Sequence, residues 1–428
     1  MLLRRSHSTD TVLGWDWRVA LGLFSLAVVA RGIPAALFYG TSDVLAWELL
    51  GQLLLNGENF YATRLHNWPP LWVYLPAGLW LLHTATDLPF AFLVKLPPIA
   101  ADACITVLLY RTGLRLNWGG PTAAAIGLAY ALNPVAVLIS GYHGQFDSLM
   151  LAPAVLAWYG WEFWSGRRRL LGSGLALGLG VWFKTVPLLF LPVFLPRLAS
   201  WRERLIYSAL AVGPAVLGTL PYLFLWPADV IENFVGYSSW FGQWGYPVVW
   251  MLVEFVQLSR VPWPVPDPNF ISPSLRLMLD HGRWLLAGAL LATWWYSYRR
   301  AFDVLAAILA TLTVFYFATV GFGLQYVLWI VPFALVARER WLWPYTLAAT
   351  TLLLLAYVMG PDAYLPPAIE WPTMRLHLRE FIVKLASLPV WLICGLWAVS
   401  LLRRGRQAHS LSLWERVGVR ASRSHAQP

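Results

Sequence analysis

Charge is what this sequence most lacks. Only 12% of its 428 residues are Asp, Glu, Lys or Arg, about half the share found in soluble globular chains. Apolar residues fill the gap at 59%, which excludes a water-soluble enzyme. Lysine is scarcer still, limited to Lys95, Lys184 and Lys384. The net charge of +10 therefore comes from arginines, and these sit between apolar runs, which is membrane topology rather than a nucleic-acid footprint. Cys104 and Cys394 both fall inside apolar segments, so neither a disulfide framework nor a Cys-based metal site is available.

Long apolar runs are what the sequence does have. A transmembrane helix needs about 17–25 mostly apolar residues, which places spans near 19–39, 88–110, 120–140, 148–164, 206–225, 283–298, 303–320, 324–337, 341–359 and 380–402. The first follows Arg4, Arg5, Asp10 and Arg18 and has no small-residue cleavage site, so it reads as an uncleaved anchor. The stretch 71–82, after Trp68-Pro69-Pro70, is too short to span and is expected to be interfacial or re-entrant. The arginines agree. If it does not cross, Arg111/Arg115, Arg167/Arg168/Arg169, Arg197/Arg202/Arg204, Arg299/Arg300 and Arg338/Arg340 share the side of the N-terminus, against Arg260, Arg276, Arg283, Arg375 and Arg379 on the other, as the positive-inside rule requires.

As one helix, 170–196 would be roughly 40 Å long, more than the ~30 Å hydrocarbon core, and it has basic clusters at both ends. A hairpin broken at Lys184-Thr185-Val186-Pro187 keeps both clusters inside and spares a mid-membrane lysine about 2.5–3.5 kcal/mol. The expectation is an all-α, polytopic transmembrane helical bundle of about 12 spans, with external loops carrying short amphipathic helices. Residues 1–402 form one domain with both termini cytoplasmic, and 403–428 is a polar, basic, disordered tail. The external segments 40–70, 141–147, the tip at Lys184, 227–280, 321–326 and 360–380 then converge on one face.

The chemistry-bearing residues gather on that face. Asp43 follows the first span, ahead of Val44, Leu45, Trp47, Leu50, Leu53 and Leu54 at the spacing of an amphipathic interfacial helix. It is either a first-turn carboxylate favoured by the helix dipole or a general base held at the water–lipid boundary. The turn Gly141-Tyr142-His143-Gly144-Gln145-Phe146-Asp147-Ser148 packs an imidazole, an amide and a carboxylate together; Asp147 alone could be an N-cap. Lys184 and Arg31 are the cations nearest the outer end, placed to attract a lipid phosphate or else to snorkel. Asp102, mid-span and seven residues from Lys95, reads as a structural polar contact. Gln325 and Tyr326 open a span and are placed to hydrogen-bond a sugar or phosphate, though aromatic residues also form ordinary interfacial belts.

In order along the chain run the external Asp43, Pro69-Pro70-Leu71, Lys95-Leu96-Pro97 with Asp102, Asn133-Pro134, His143-Gly144-Gln145-Phe146-Asp147, Lys184 with Pro187, and Gln325-Tyr326 with Trp329 and Pro332. This series resembles the multi-pass GT-C glycosyltransferases that use polyprenyl- or dolichyl-phosphate sugars, over roughly residues 18–336. The resemblance implies an inverting hexosyltransferase, of the mannosyl- or glucosyltransferase kind. Asp43 would act on the acceptor hydroxyl, Lys184 and His143 would bind the lipid phosphate, and Gln145, Asp147, Gln325 and Tyr326 would shape the sugar site. The family often has two acids near this aspartate; here the second is Glu48, five residues on and on another face, so no metal or other cofactor is expected. Expected partners are a polyprenyl-phosphate-linked sugar, a lipid or glycan acceptor and membrane lipids, with no nucleic acid, and the expected location is the bacterial inner membrane with the site on the non-cytoplasmic face. A polymerase or ligase of lipid-diphosphate glycans and a lipid or sugar transporter are the alternatives. The first is disfavoured by the Trp- and Pro-rich character of 227–280 and the second by the lack of an internal repeat.

Overall fold

A computed structural model describes residues 15–236, 244–258, 272–359 and 376–404, and every regular element among them is helical. Helix α1 (Trp17–Leu37) starts where the Asp16 carboxylate accepts a bond from the Arg18 N–H and ends at Phe38, whose carbonyl accepts from Lys95 Nζ at 2.7 Å. Helices α2 (Ser42–Leu55) and α3 (Leu71–Thr86) pack together, with Trp47 edge-on to Trp72 at 5.6 Å. The start of α3 stacks Trp72 on Phe146, and by Lys95 the chain is back at the end of α1, so 71–95 leaves and re-enters the same end of the bundle, as its length implied. One feature of α2 differs from expectation. Leu45 and Leu49 are exposed opposite the buried Val44, Trp47 and Leu50, so this helix has no broad polar face and is apolar on two sides.

Helix α4 (Leu96–Arg115) runs antiparallel to α1 and carries the chain to the far end, where Trp15 meets Tyr110 and Arg111. Helix α5 (Gly120–Ala131) returns and bends by 42° into a segment from Pro134 to His143. The bend has a local cause: Pro134 has no N–H for the preceding helix, while the Asn133 side chain caps the new one by accepting from the N–H groups of Val135 and Ala136. Its last turns are wound as a π-helix, Leu138–His143, closed by Gly144 at φ +82°. Helix α6 (Asp147–Phe163) leads away again.

Helix α7 (Gly174–Phe183) comes back and stops at Lys184, where the backbone is extended. Beyond it, short helical turns from Val186 to Arg197 contain Pro187, Pro192 and Pro196. The second arm retraces the first. Phe194 lies against Trp161 and Tyr207, and Ser173 bonds both Tyr207 and the Ala157 carbonyl. The hairpin expected over 170–196 is therefore the observed path.

Next come α8 (Trp201–Leu225), α9 (Pro227–Val235), α10 (Tyr246–Leu258), α11 (Pro273–Arg299), α12 (Val304–Ala318), α13 (Val331–Val336), α14 (Leu342–Met359) and α15 (Leu376–Arg404). Arg197 Nη2 donates to the Phe302 carbonyl, Arg338 lies over Trp118, and Arg404 pairs with Glu339, so these basic residues cluster at the end away from Asp43.

Among the described residues, five helices are long and apolar enough to cross a membrane, or six if the bent pair counts as one span. The figure of about 12 is not reached on that measure, because Val186–Arg197, Val304–Ala318 and Leu324–Val336 are short apolar helices. Helix α11 is long, but Arg276, Asp280, His281 and Arg283 make its first half polar. Much of 227–280 and 360–380, and the tail beyond Arg404, lie outside the described residues.

Candidate active site

Asp43 stands in the first turn of α2. The link before it passes so close to the 142–143 backbone that a Cβ on Gly40, itself at φ +112°, would lie 2.8 Å from the Tyr142 carbonyl. Thr41 Oγ1 donates to the His143 carbonyl at 3.2 Å and Trp47 Nε1 to the Gly144 carbonyl at 3.0 Å, clamping α2 to the turn that carries the other candidates.

The clamp delivers two donors to one carboxylate oxygen. Oδ2 of Asp43 accepts from His143 Nε2 at 2.8 Å and from the Gln145 amide. Oδ1 accepts nothing among the described residues, and the Asp43 side chain keeps 34% of its surface exposed while His143 keeps 6%. On its other nitrogen His143 meets the Tyr357 hydroxyl at 2.8 Å. Burial pushes the Asp43 carboxyl up, but the bond and charge of His143, the Gln145 bond and the nearby Lys184 charge outweigh it and hold the group below the ordinary carboxylate range. The result is an ionised carboxylate with one oxygen held by two donors and the other open to accept a proton.

Beside it lies a buried ion pair. Lys184 Nζ donates to both oxygens of Asp147, at 3.1 and 2.9 Å, and Trp329 Nε1 donates to Oδ1 at 2.6 Å. Three rings face the ammonium, with centroids 4.7 Å (Trp68), 5.0 Å (Phe146) and 5.8 Å (Tyr326) away. Asp147 is thus an ion-pair partner as well as a first-turn residue. The side chains of Lys184 and Asp147 are 1% and 0% exposed, so the pair is closed to solvent.

The structure therefore brings together Asp43, His143, Gln145, Asp147, Lys184 and the Tyr326 ring. Gln325 is half-buried, folded back toward Gly323, and makes no hydrogen bond to the others. Arg31 departs from expectation outright. Fully buried, it pairs with Asp102 at 2.8 Å through Nε and spends its other nitrogens on the carbonyls of Ala27, Tyr130 and Ala131, so it neither snorkels nor offers a donor to phosphate. Tyr130 Oη and Ser140 Oγ complete the shell of Asp102, the structural contact read from the sequence. Glu48 turns to Gln52, so Asp43 and Glu48 do not form paired carboxylates.

Four residues at the site escaped the sequence reading as site residues: Tyr357, Trp329, Trp68 and His66. His66 is wholly buried and donates from Nε2 to the Pro69 carbonyl at 3.2 Å, and burial pulls its pKa down to about 4. The local signals were Trp68 beside Pro69-Pro70 and Trp329 in the series with Gln325-Tyr326; Tyr357 is 214 residues from His143, and nothing in its own neighbourhood marks it.

No family model matches the chain, and no solved structure matches it. Its curated relatives include three undecaprenyl phosphate-alpha-4-amino-4-deoxy-L-arabinose arabinosyl transferases. The one from Pseudomonas paraeruginosa (strain DSM 24068 / PA7) is 29% identical over 310 residues, 64% of this chain and 52% of the relative. That from Pseudomonas aeruginosa (strain UCBPP-PA14) is 32% identical over 225 residues, 48% of this chain and 38% of the relative. The third, from Pseudomonas aeruginosa (strain LESB58), is 32% identical over 279 residues, 57% and 47%. The chain thus spans about half the length of the curated relatives it matches. The sugar in their name is a pentose, not the hexose expected from the motif series. Over the matched part, the chain is similar to transferases of a sugar carried on undecaprenyl phosphate, in keeping with the GT-C resemblance read from its motifs.

Proposed function

We propose that the chain is an inverting glycosyltransferase that moves a glycosyl group from a polyprenyl-monophosphate sugar to a lipid-linked or glycan acceptor, in the inner membrane of a bacterium. One observation carries the assignment: the Asp43 carboxylate, ionised and clamped at Oδ2 by His143 and Gln145, with Oδ1 free at the end of the bundle opposite the arginines. As the acceptor oxygen attacks the anomeric carbon, its proton passes to Asp43 Oδ1. The bond from that carbon to the phosphate oxygen breaks on the opposite face, and polyprenyl phosphate leaves with the electron pair. A positioned base supplies about 10²–10⁴-fold, and most of the remainder comes from holding donor and acceptor in line.

The lipid phosphate is drawn toward the cationic Lys184, which Asp147 pairs and three rings face. The bundle is read as about 12 traversals, some shorter than a full span, forming one domain through residue 402 with the site on the non-cytoplasmic face. A polyprenyl tail cannot leave the bilayer while its head must meet a polar acceptor, and a site at the outer boundary meets both demands. The relatives favour an aminopentose over mannose or glucose as the sugar.

The test is consumption of radiolabelled polyprenyl-monophosphate sugars by purified protein in nanodiscs, with pentosyl, aminopentosyl and hexosyl donors offered separately. Turnover of a monophosphate donor to free polyprenyl phosphate and a glycosylated acceptor supports the proposal. Turnover of diphosphate-linked glycans alone assigns the chain to polymer transfer instead.

A further inference from the structure

Tyr357, on the last turn of α14, is joined to Asp43 through one residue. Its hydroxyl lies 2.8 Å from His143 Nδ1, and His143 Nε2 lies 2.8 Å from Asp43 Oδ2. The phenol is 5% exposed, and its ring packs on Tyr142 with centroids 4.7 Å apart, so the hydroxyl is not free to turn to bulk water. A neutral imidazole carries one N–H, and the bond at one nitrogen decides where it sits. A phenol O–H donated to Nδ1 puts that proton on Nε2, facing the carboxylate. If His143 gains a second proton, the same oxygen accepts from Nδ1–H. In both states Asp43 Oδ2 keeps its donor.

We propose that Tyr357 is a positioning residue for this enzyme: by bonding His143 Nδ1 it fixes which nitrogen donates to Asp43, and so keeps Oδ1 of the carboxylate ionised and aimed at the acceptor. The inference rests on the reading of Asp43 as the base. The groups facing this line are Asp43 from α2, Gln145 and Tyr142 from the turn, Tyr357 from α14, and the Lys184–Asp147 pair from the hairpin tip and α6. His66, beyond Lys184, stays neutral above a pKa of about 4.

The experiment is a set of pH–rate profiles for the full-length protein, wild type, Y357F, H143Q, H143Q/Y357F and D43N, with monodispersity in detergent as the check on folding. Losing the phenol weakens the His143 donor, so Asp43 holds its proton more tightly and the acidic limb of the profile moves to higher pH. Y357F is expected to lower kcat about tenfold, the size of one lost buried hydrogen bond, with the donor KM unchanged. In H143Q the amide offers an N–H to Asp43 whatever sits behind it, so adding Y357F to H143Q is expected to change nothing further. An equal loss from Y357F in both backgrounds, or an unmoved acidic limb, overturns the proposal and leaves Tyr357 a packing residue. Full activity in D43N overturns the base reading itself, whatever Tyr357 does.

Discussion

Removing the Lys184 ammonium alone would leave the buried Asp147 carboxylate with the Trp329 N–H as its one remaining donor among the described residues. Breaking one side of a buried pair costs about 3–5 kcal/mol, whereas replacing both partners is often near neutral. K184M is therefore expected to lower the thermal unfolding temperature in detergent sharply, and K184M/D147N to recover most of it while staying inactive. Equal melting of wild type and K184M would show that the pair contributes nothing to the fold. His66 gives a pH test. Its folded pKa of about 4 lies below the free value of 6.5, so the unfolded chain takes the proton first. Stability is full above pH 6.5 and falls toward pH 4, by at most about 3 kcal/mol; H66F is expected to flatten that fall, and an unchanged slope would show that His66 is not the group titrating. At this scale the sequence showed Asp43, His143 and Gln145, because the last two share one short turn and the first is an acid just past a span. It misplaced Arg31, since a cation one or two turns inside the boundary either snorkels or pairs. Its partner lies 71 positions away, with no local pattern to announce it.

Helix crossings depend on single atoms at the hairpin. A Cβ on Gly178 of α7 would lie 2.1 Å from the Leu210 carbonyl oxygen of α8, and backbone cannot yield by changing rotamer. G178A is expected to cost about 1–3 kcal/mol as overpacking. G22A, whose added methyl would meet nothing within 4 Å, is expected to be neutral or to stabilise by about 0.5–1 kcal/mol through helix propensity. Differential scanning fluorimetry in one detergent compares the two, and equal melting points would contradict the close crossing. The hairpin itself was legible because Pro187 and basic clusters at both ends left a single crossing unfavourable. The start of α11 was not: the helix begins at Pro273, capped by Ser272 through the Leu275 N–H, about ten residues before the apolar run that marked it. Apolarity locates hydrocarbon depth, whereas caps locate helix ends.

For the whole molecule, Asp43, Lys184 and Tyr357 gather at one end, while Arg169, Arg197, Arg338 and Arg404 make their contacts at the other. If the arginine end is cytoplasmic, E58C, on the exposed turn after α2, reacts with an impermeant thiol reagent in intact cells, and R168C reacts only after permeabilisation. The reverse pattern would put the site inside. The alternation of helices between two ends was legible from arginine placement, but the convergence of a turn, a hairpin tip and the end of α14 on one site is a tertiary fact that no window of sequence contains. The role of Asp43 is measured most directly by single-turnover transfer from a radiolabelled polyprenyl-monophosphate sugar by wild type and D43N in matched nanodiscs, with donor binding measured on the same samples. D43N is expected to bind donor as wild type does and to transfer slower by at least about 10². Transfer by D43N at the wild-type rate would contradict that role.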